Sequence, residues 1–168
     1  MSLRTAIAVL RWLDPNGRTA GWQINPPMPI YTAVSKPAPF RYAIEVAPGD
    51  IDFMGHVNNA SYLGWVQDAV VGHWRSLAPA DAVAQHLWVA LKHEITYRRP
   101  TFLGDDVIAT VLLEKFHGAR AFYETVIRRG EEVLAEVKSS WCCVDAETLR
   151  PARLAGEVVR RFFPEGEA

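Results

Sequence analysis

The chain has 168 residues, of which 49% are hydrophobic, and its formal net charge is −1. This length suits one domain with a substantial hydrophobic core and does not require a second. The chain lacks the excess of basic residues that attracts nucleic acids or acidic membrane surfaces, so no nucleic-acid partner is expected. No apolar run approaches the roughly 20 residues that cross a bilayer, so no membrane association is expected either.

Residues 1–39 differ in composition from the rest of the chain. They contain six of the eleven prolines and no sustained hydrophobic periodicity, which is typical of an irregular extension. Three interpretations of this segment stay open: a flexible arm, a start codon assigned too far upstream, and an organelle transit peptide. Its apolar stretch is broken by Arg11 before it could serve as a secretory signal. We therefore predict a cytoplasmic protein whose structured domain covers residues 40–168.

A strand and a loop open the regular part of the chain. Hydrophobic alternation over residues 40–46 predicts the strand, and Pro48 and Gly49 end it. The loop that follows covers residues 50–57.

A long helix is predicted after this loop. Asn58 or Asn59 can cap its start, because asparagine accepts hydrogen bonds from the first-turn amides, and the apolar pattern runs to about Arg75. Most of the helix circumference is apolar, so we expect other structure to wrap it. Gly64 and Gly72 lie near one face and would permit close approach to a sheet.

Four more strands are predicted after the helix. They cover residues 87–97, 106–116, 120–129 and 132–144, and short helices at 79–86 and 155–163 flank them. In the first, the odd positions from Leu87 to Tyr97 are mostly apolar, which predicts that this face is buried. Gly118 and Gly130 suit hairpin turns between antiparallel strands. The order β-α-β-β-β-β predicts an α+β fold, with a curled antiparallel β-sheet wrapped around the long central α-helix.

The only two cysteines, Cys142 and Cys143, are adjacent in the last strand. They point to opposite faces and are poorly placed to bridge each other, so they favour packing in a reducing compartment. His93 and Glu94 begin like a zinc-protease motif, but the second histidine is missing. No metal site is predicted.

Two motifs stand out, one before the long helix and one between the second and third strands. The first is Asp50-x-Asp52-x-x-Gly55-His56-Val57-Asn58-Asn59-x-x-Tyr62, and the second is Tyr97-x-x-Pro100-x-x-x-Gly104-Asp105. Over roughly residues 40–150 the chain thereby resembles the 4-hydroxybenzoyl-CoA thioesterase branch of the hotdog-fold superfamily. This resemblance implies a hotdog fold, hydrolysis of acyl-CoA or related thioesters, and no metal or organic cofactor. It also implies a homodimer whose sheets join edge to edge, and it leaves open whether two dimers pair into a homotetramer.

The resemblance places Asp52 at the catalytic carboxylate. Thioester hydrolysis needs a group that activates water or attacks the carbonyl, and donors that stabilise the oxyanion. Whether Asp52 is a general base or a nucleophile that forms a mixed anhydride stays open. The backbone amides around Asn58 and Asn59, at the positive end of the helix dipole, are the predicted oxyanion donors.

The other loop residues are divided between the site and the turn. His56 is predicted to orient the carboxylate, contact the substrate or hold the turn, and Gly55 to provide a bend with positive φ. The predicted substrate-binding residues of this segment are Gly55, Val57, Asn58 and Tyr62, although the position of Tyr62 in the helix favours packing.

Coenzyme A would be part of the substrate, and its phosphates need basic contacts. Arginine suits this role because its guanidinium meets phosphate oxygens in a forked geometry. We favour Arg120, just beyond the Gly118 turn, over the other candidates, which are Arg98, Arg99, Lys115 and Arg128.

Two other functions suit the same fold. One is a hotdog protein that binds acyl-CoA as a sensor or subunit without hydrolysing it, which the motif carboxylate disfavours. The other is an enoyl hydratase or dehydratase, for which the sequence offers no acid/base motif. The acyl group stays open between aliphatic, aryl and carrier-protein thioesters.

Overall fold

The computed structural model describes residues 31–32 and 37–163. Its elements in chain order are β1 (Tyr31–Thr32), β2 (Phe40–Ile44), a 3₁₀ turn (Pro48–Asp50), α1 (Ser61–Leu77), α2 (Ala80–Gln85), β3 (His86–Tyr97), β4 (Val107–His117), β5 (Arg120–Arg129), β6 (Glu132–Asp145) and α3 (Gly156–Phe162). Most of the predicted extension, residues 1–39, lies outside the described residues, but Tyr31–Thr32 pairs with β4.

The strands form one antiparallel sheet in the order β1-β4-β5-β6-β3, and β2 also pairs with β4. Glycines with positive φ make the two predicted hairpin turns, Gly118 before β5 and Gly130 before β6. The sheet curls around α1, which confirms the predicted α+β hotdog architecture. Among the described strands, β3 pairs with β6 alone and so leaves its other edge open.

The inner face of the sheet packs against α1. The buried side chains of the helix are Tyr62, Trp65, Val66, Ala69, Val70, His73 and Trp74. They meet the alternating buried residues of β4, which are Val107, Ala109, Val111 and Leu113. A Cβ on Gly72 would lie 3.3 Å from the Tyr42 ring, which confirms the predicted close approach there. The same prediction is wrong for Gly64, because nothing lies within 4 Å of its Cβ position.

The helix begins and ends later than the sequence predicts. Its N-cap is Ala60, without a side-chain cap, and its last residue is Leu77 rather than Arg75. Asn58 instead turns the chain just before the helix: its side-chain Oδ1 accepts the Ala60 N–H at 2.9 Å and its carbonyl accepts the Ser61 N–H at 2.9 Å. Asparagine thus stabilises a preceding turn here and does not cap the helix itself.

A β-bulge reverses the predicted burial of the first half of β3. The pairing with β6 skips Leu91, between Ala90 and Lys92. Since one extra residue shifts the alternation, Trp88 packs on the core before the bulge and Ile95 does so after it. The exposed face of the first half therefore carries the residues predicted to be buried there, Leu87, Val89 and Leu91.

A histidine is buried among aromatic rings where α1 packs against β2, β5 and α3. The ring of His73, in α1, lies 5.5 to 5.8 Å from the rings of Phe40, Tyr123 and Phe162, and its Nδ1 has no hydrogen-bond partner within the described ranges. Burial lowers the pKa of His73 from 6.5 to about 4, because the charged ring would lose its hydration.

We expect His73 to make the protein less stable as the pH falls. Between pH 6.5 and 4 the unfolded chain binds a proton at this site that the folded chain does not. The free energy of unfolding should therefore drop by about 2 to 3 kcal/mol across this window. Urea unfolding of the wild type and of His73→Phe, at pH 7 and pH 4.5, measures this contribution as the difference between the two pH dependences. Identical pH dependences would show that His73 does not contribute.

Candidate active site

The loop that carries Asp52 is closed by its own backbone. The Asp52 N–H donates to the His56 carbonyl at 2.9 Å, and the Gly55 N–H donates to the Asp52 carbonyl at 3.0 Å. Gly55 has φ of 81°, which confirms the predicted bend and which a side chain would strain. The loop is therefore a defined turn that holds one carboxylate in place.

The two oxygens of the Asp52 carboxylate have different surroundings. Oδ1 accepts the Met54 N–H at 2.8 Å, whereas Oδ2 accepts no hydrogen bond within residues 31–32 and 37–163. His56 Nδ1 lies 3.6 Å from Oδ2 and 3.2 Å from the Val57 carbonyl oxygen. The Asp52 side chain is 16% exposed. One oxygen is thus fixed by the turn, and the other is available to bind a proton or to attack a carbonyl.

The amides before α1 are unequal as oxyanion donors. The Asn58 N–H donates to the Asp50 carbonyl at 2.7 Å, so it is already occupied. The Ala60 and Ser61 amides both donate to Asn58. The Asn59 N–H has no partner in the described part of the chain. Of the two amides that the sequence proposes, Asn59 is therefore the available one.

The second sequence motif supports the loop from β3 and the segment after it. The Thr101 carbonyl accepts the Val57 N–H at 2.8 Å, and the Thr101 hydroxyl lies 2.7 Å from the Tyr62 hydroxyl. Tyr97 donates its hydroxyl proton to the Asn59 carbonyl at 2.8 Å. Burial raises the pKa of Tyr62 and of Tyr97, so both hydroxyls keep their protons near neutral pH. The spacing of this motif pointed to Tyr97, but no role for it or for Thr101 followed from the sequence.

Asp105, the last residue of this motif, fixes the end of the same segment. Its carboxylate accepts the Phe102 N–H at 2.8 Å and pairs with Arg129 at 2.5 Å. Arg129 also pairs with Glu132 across the β5–β6 hairpin. This places the Asp52 loop at the end of the sheet where β5 finishes.

The structure separates the other predicted site residues. Val57 and Tyr62 are each 2% exposed, so their side chains belong to the core, while the side chains of Asn58 and Asn59 are exposed. Arg120 begins β5, about 30 Å along the strand from the Arg129 end. The favoured phosphate contact is therefore remote from the Asp52 loop of its own chain.

Two surfaces flank the loop. On the β2 side, an open cavity of about 540 Å³ lies against the first turns of α1, and its wall carries Glu45, Asp50 and Asp68. These carboxylates make it unfavourable for the phosphates of coenzyme A. At the tip of the loop, the side chain of Phe53 is 98% exposed and that of Met54 is 65% exposed.

Within residues 31–32 and 37–163, no three His, Cys, Asp or Glu side chains are grouped to hold a metal ion. In the same residues, no helix is long and apolar enough to cross a membrane.

The family model of the thioesterase-like superfamily matches residues 46–162. The chain belongs to this superfamily. The predicted hotdog-fold thioesterase and its class, a thioester hydrolase, are thereby confirmed, whereas the roles of the individual loop residues stay predictions.

Curated relatives and solved structures agree with this membership. The chain is 30% identical over 122 residues to the long-chain acyl-CoA thioesterase FadM of Escherichia coli, covering 68% of this chain and 90% of that protein. It is 25% identical to the putative acyl-CoA thioesterase YneP of Bacillus subtilis, over 73% of this chain and 88% of that one. A Thermus thermophilus thioesterase, solved with coenzyme A and zinc, is 27% identical over 73% of this chain and 95% of its own, with a TM-score of 0.63.

Proposed function

We propose that this thioesterase hydrolyses acyl-CoA esters to the free acid and coenzyme A, with Asp52 promoting the attack. The proposal rests on two groups of the same loop. The turn holds the Asp52 carboxylate and leaves its Oδ2 without a hydrogen bond, and the Asn59 N–H before α1 has no partner in the described part of the chain. The names of the two curated relatives, a long-chain acyl-CoA thioesterase and a putative acyl-CoA thioesterase, support coenzyme A as the leaving group.

Either of two reaction courses suits this geometry. As a general base, Asp52 Oδ2 takes a proton from water while the water oxygen attacks the thioester carbonyl. As a nucleophile, Oδ2 attacks the carbonyl directly, and water then cleaves the mixed anhydride. In both courses the carbonyl oxygen becomes negative beside the Asn59 N–H, the C–S bond breaks, and the coenzyme A thiolate takes up a proton.

The open edge of β3 supports a homodimer. This strand is 12 residues long, and an exposed apolar edge of that length tends to pair with another strand. In a two-fold, edge-to-edge dimer the two β3 strands run antiparallel. The end of the sheet that carries Arg120 in one protomer then lies next to the end that carries the Asp52 loop in the other. Arg120 would therefore contact the coenzyme A phosphates across the interface. The exposed Leu87, Val89 and Leu91 would support a dimer of dimers.

The dimer should weaken when charge is placed on β3. Near the two-fold axis a residue lies beside its own counterpart, so the double variant Val89→Lys with Leu91→Lys sets like charges together and should weaken dimerisation about tenfold or more. Sedimentation velocity over a concentration series measures this shift as the appearance of monomer, whereas loss of the dimer of dimers alone would leave a dimer. Leu149→Lys, at an exposed leucine after β6, is the matched control. A fully active wild-type monomer would contradict the dimer.

Hydrolysis of an acyl-CoA panel tests the proposed activity directly. We expect the wild type to release coenzyme A, followed with a thiol reagent, from at least one aliphatic or aryl acyl-CoA. Calorimetric titration with the same esters separates binding from turnover. Tight binding of acyl-CoA without turnover of any ester would support the sensor or subunit instead.

A further inference from the structure

A stripe of partly exposed side chains leads from the Asp52 loop along the inner face of β3. Tyr97 begins the stripe, since its hydroxyl binds the Asn59 carbonyl and its ring lies 5.2 Å from the ring of Tyr62 in α1. Ile95 and His93 follow at two-residue intervals on the same face, beyond the bulge. The stripe therefore runs about 13 Å from Tyr97 to His93.

The far end of the stripe carries a neutral imidazole. The His93 ring lies edge-on to Trp141, with 5.3 Å between their centroids, and its Nδ1 is buried without a hydrogen-bond partner within the described ranges. Burial lowers the pKa of His93, so the ring holds one proton near neutral pH. If the proton were on the enclosed Nδ1, that N–H would have no acceptor. The favoured tautomer therefore carries its proton on Nε2. His93 thus offers one N–H donor at the end of an apolar stripe.

This stripe suits an acyl chain better than the cavity on the other side of the loop. The cavity wall carries Glu45, Asp50 and Asp68, whose hydration an apolar chain would disrupt. The stripe offers two aromatic or aliphatic side chains before it reaches His93. An acyl group whose carbonyl lies at the Asn59 amide therefore gains most by extending along β3.

We propose that the acyl group lies along this stripe and that His93 selects chains with a hydroxyl or keto oxygen about ten carbons from the thioester, the reach of an extended chain over the same length. The inference rests on the proposed function, because it places the thioester between Asp52 and Asn59. An unsubstituted alkyl chain would exclude water from the His93 N–H without offering it a hydrogen-bond acceptor. The unpaired donor would lower the rate for that substrate. The substrate class is thus a medium-chain acyl thioester oxygenated near its far end.

Three coenzyme A esters of equal chain length test this selection. We expect kcat/KM of the wild type for 10-hydroxydecanoyl-CoA to exceed that for decanoyl-CoA about fivefold, the effect of one typical hydrogen bond. In His93→Phe, which keeps a ring against Trp141, the preference should disappear. His93→Gln keeps an N–H donor and should retain part of it. The third ester, 3-hydroxydecanoyl-CoA, carries its oxygen near the thioester, so its rate relative to decanoyl-CoA should not change in either variant.

The outcomes separate this inference from the proposed function. An unchanged preference in His93→Phe would overturn the role of His93, as would a wild type without any preference. Hydrolysis of short aryl-CoA esters but of no ten-carbon ester would overturn the stripe and leave the proposed function standing. If no acyl-CoA is hydrolysed, the proposed function fails and the inference fails with it.

Discussion

Asp52→Asn should lower kcat for acyl-CoA hydrolysis at least about 100-fold, because the amide can neither accept a proton from water nor attack the carbonyl. The substitution is nearly isosteric, and the side-chain oxygen of asparagine can still accept the Met54 N–H that holds Oδ1 in the wild type. The turn should therefore persist, and KM should change little. Steady-state kinetics on the best ester of the panel measures the loss.

Asp50→Asn is the matched control for this substitution. Asp50 lies in the same loop and its Oδ2 accepts the Ala47 N–H at 2.9 Å, a bond that asparagine can also make. We expect kcat within a few-fold of the wild type. Equal activity of Asp52→Asn and the wild type would remove Asp52 as the catalyst, and an equal loss in both variants would indicate that the loop has simply been disturbed.

Removal of the Asn59 N–H should have an effect of similar size. Proline at this position lacks the amide proton, so Asn59→Pro should lower kcat by about 100- to 1,000-fold, the usual cost of losing one oxyanion donor. Proline is tolerated close to helix N-termini, and Asn59 directly precedes the N-cap, Ala60. Thermal unfolding shows whether the variant folds, and kcat measured on folded protein gives the loss.

Asn59→Ala distinguishes the backbone from the side chain. Alanine keeps the N–H and also the carbonyl that accepts the Tyr97 hydroxyl, so we expect activity close to that of the wild type. If Asn59→Ala loses as much activity as Asn59→Pro, the exposed side chain and not the amide serves the reaction. If neither variant loses activity, the oxyanion is stabilised elsewhere.

The sequence alone predicts the order of elements, the α+β hotdog class and the thioesterase family. The hotdog fold and the thioesterase family follow from the resemblance that the two motifs carry. The order of elements and the α+β class depend on local or short-range properties: alternation within strands, an apolar helix that must be wrapped, and glycines at turns. Gly55 belongs to this group, since its bend serves a turn of a few residues. The position of Asp52 was accessible for the same reason, because the motif around it is contiguous in the chain.

Only the tertiary structure decided which face of β3 is buried and which amide is free. A single bulge at Leu91 reverses the alternation, and its position is set by pairing with β6, some 50 residues further along the chain. The Asn58 amide is occupied by Asp50, and the Asn59 carbonyl by Tyr97, which lies 38 residues away. Arg120 illustrates the same limit, since closeness to a turn in sequence does not show which end of the sheet that turn occupies. Hydrogen bonds between distant segments depend on how the chain packs, and that information is not contained in any single stretch of sequence.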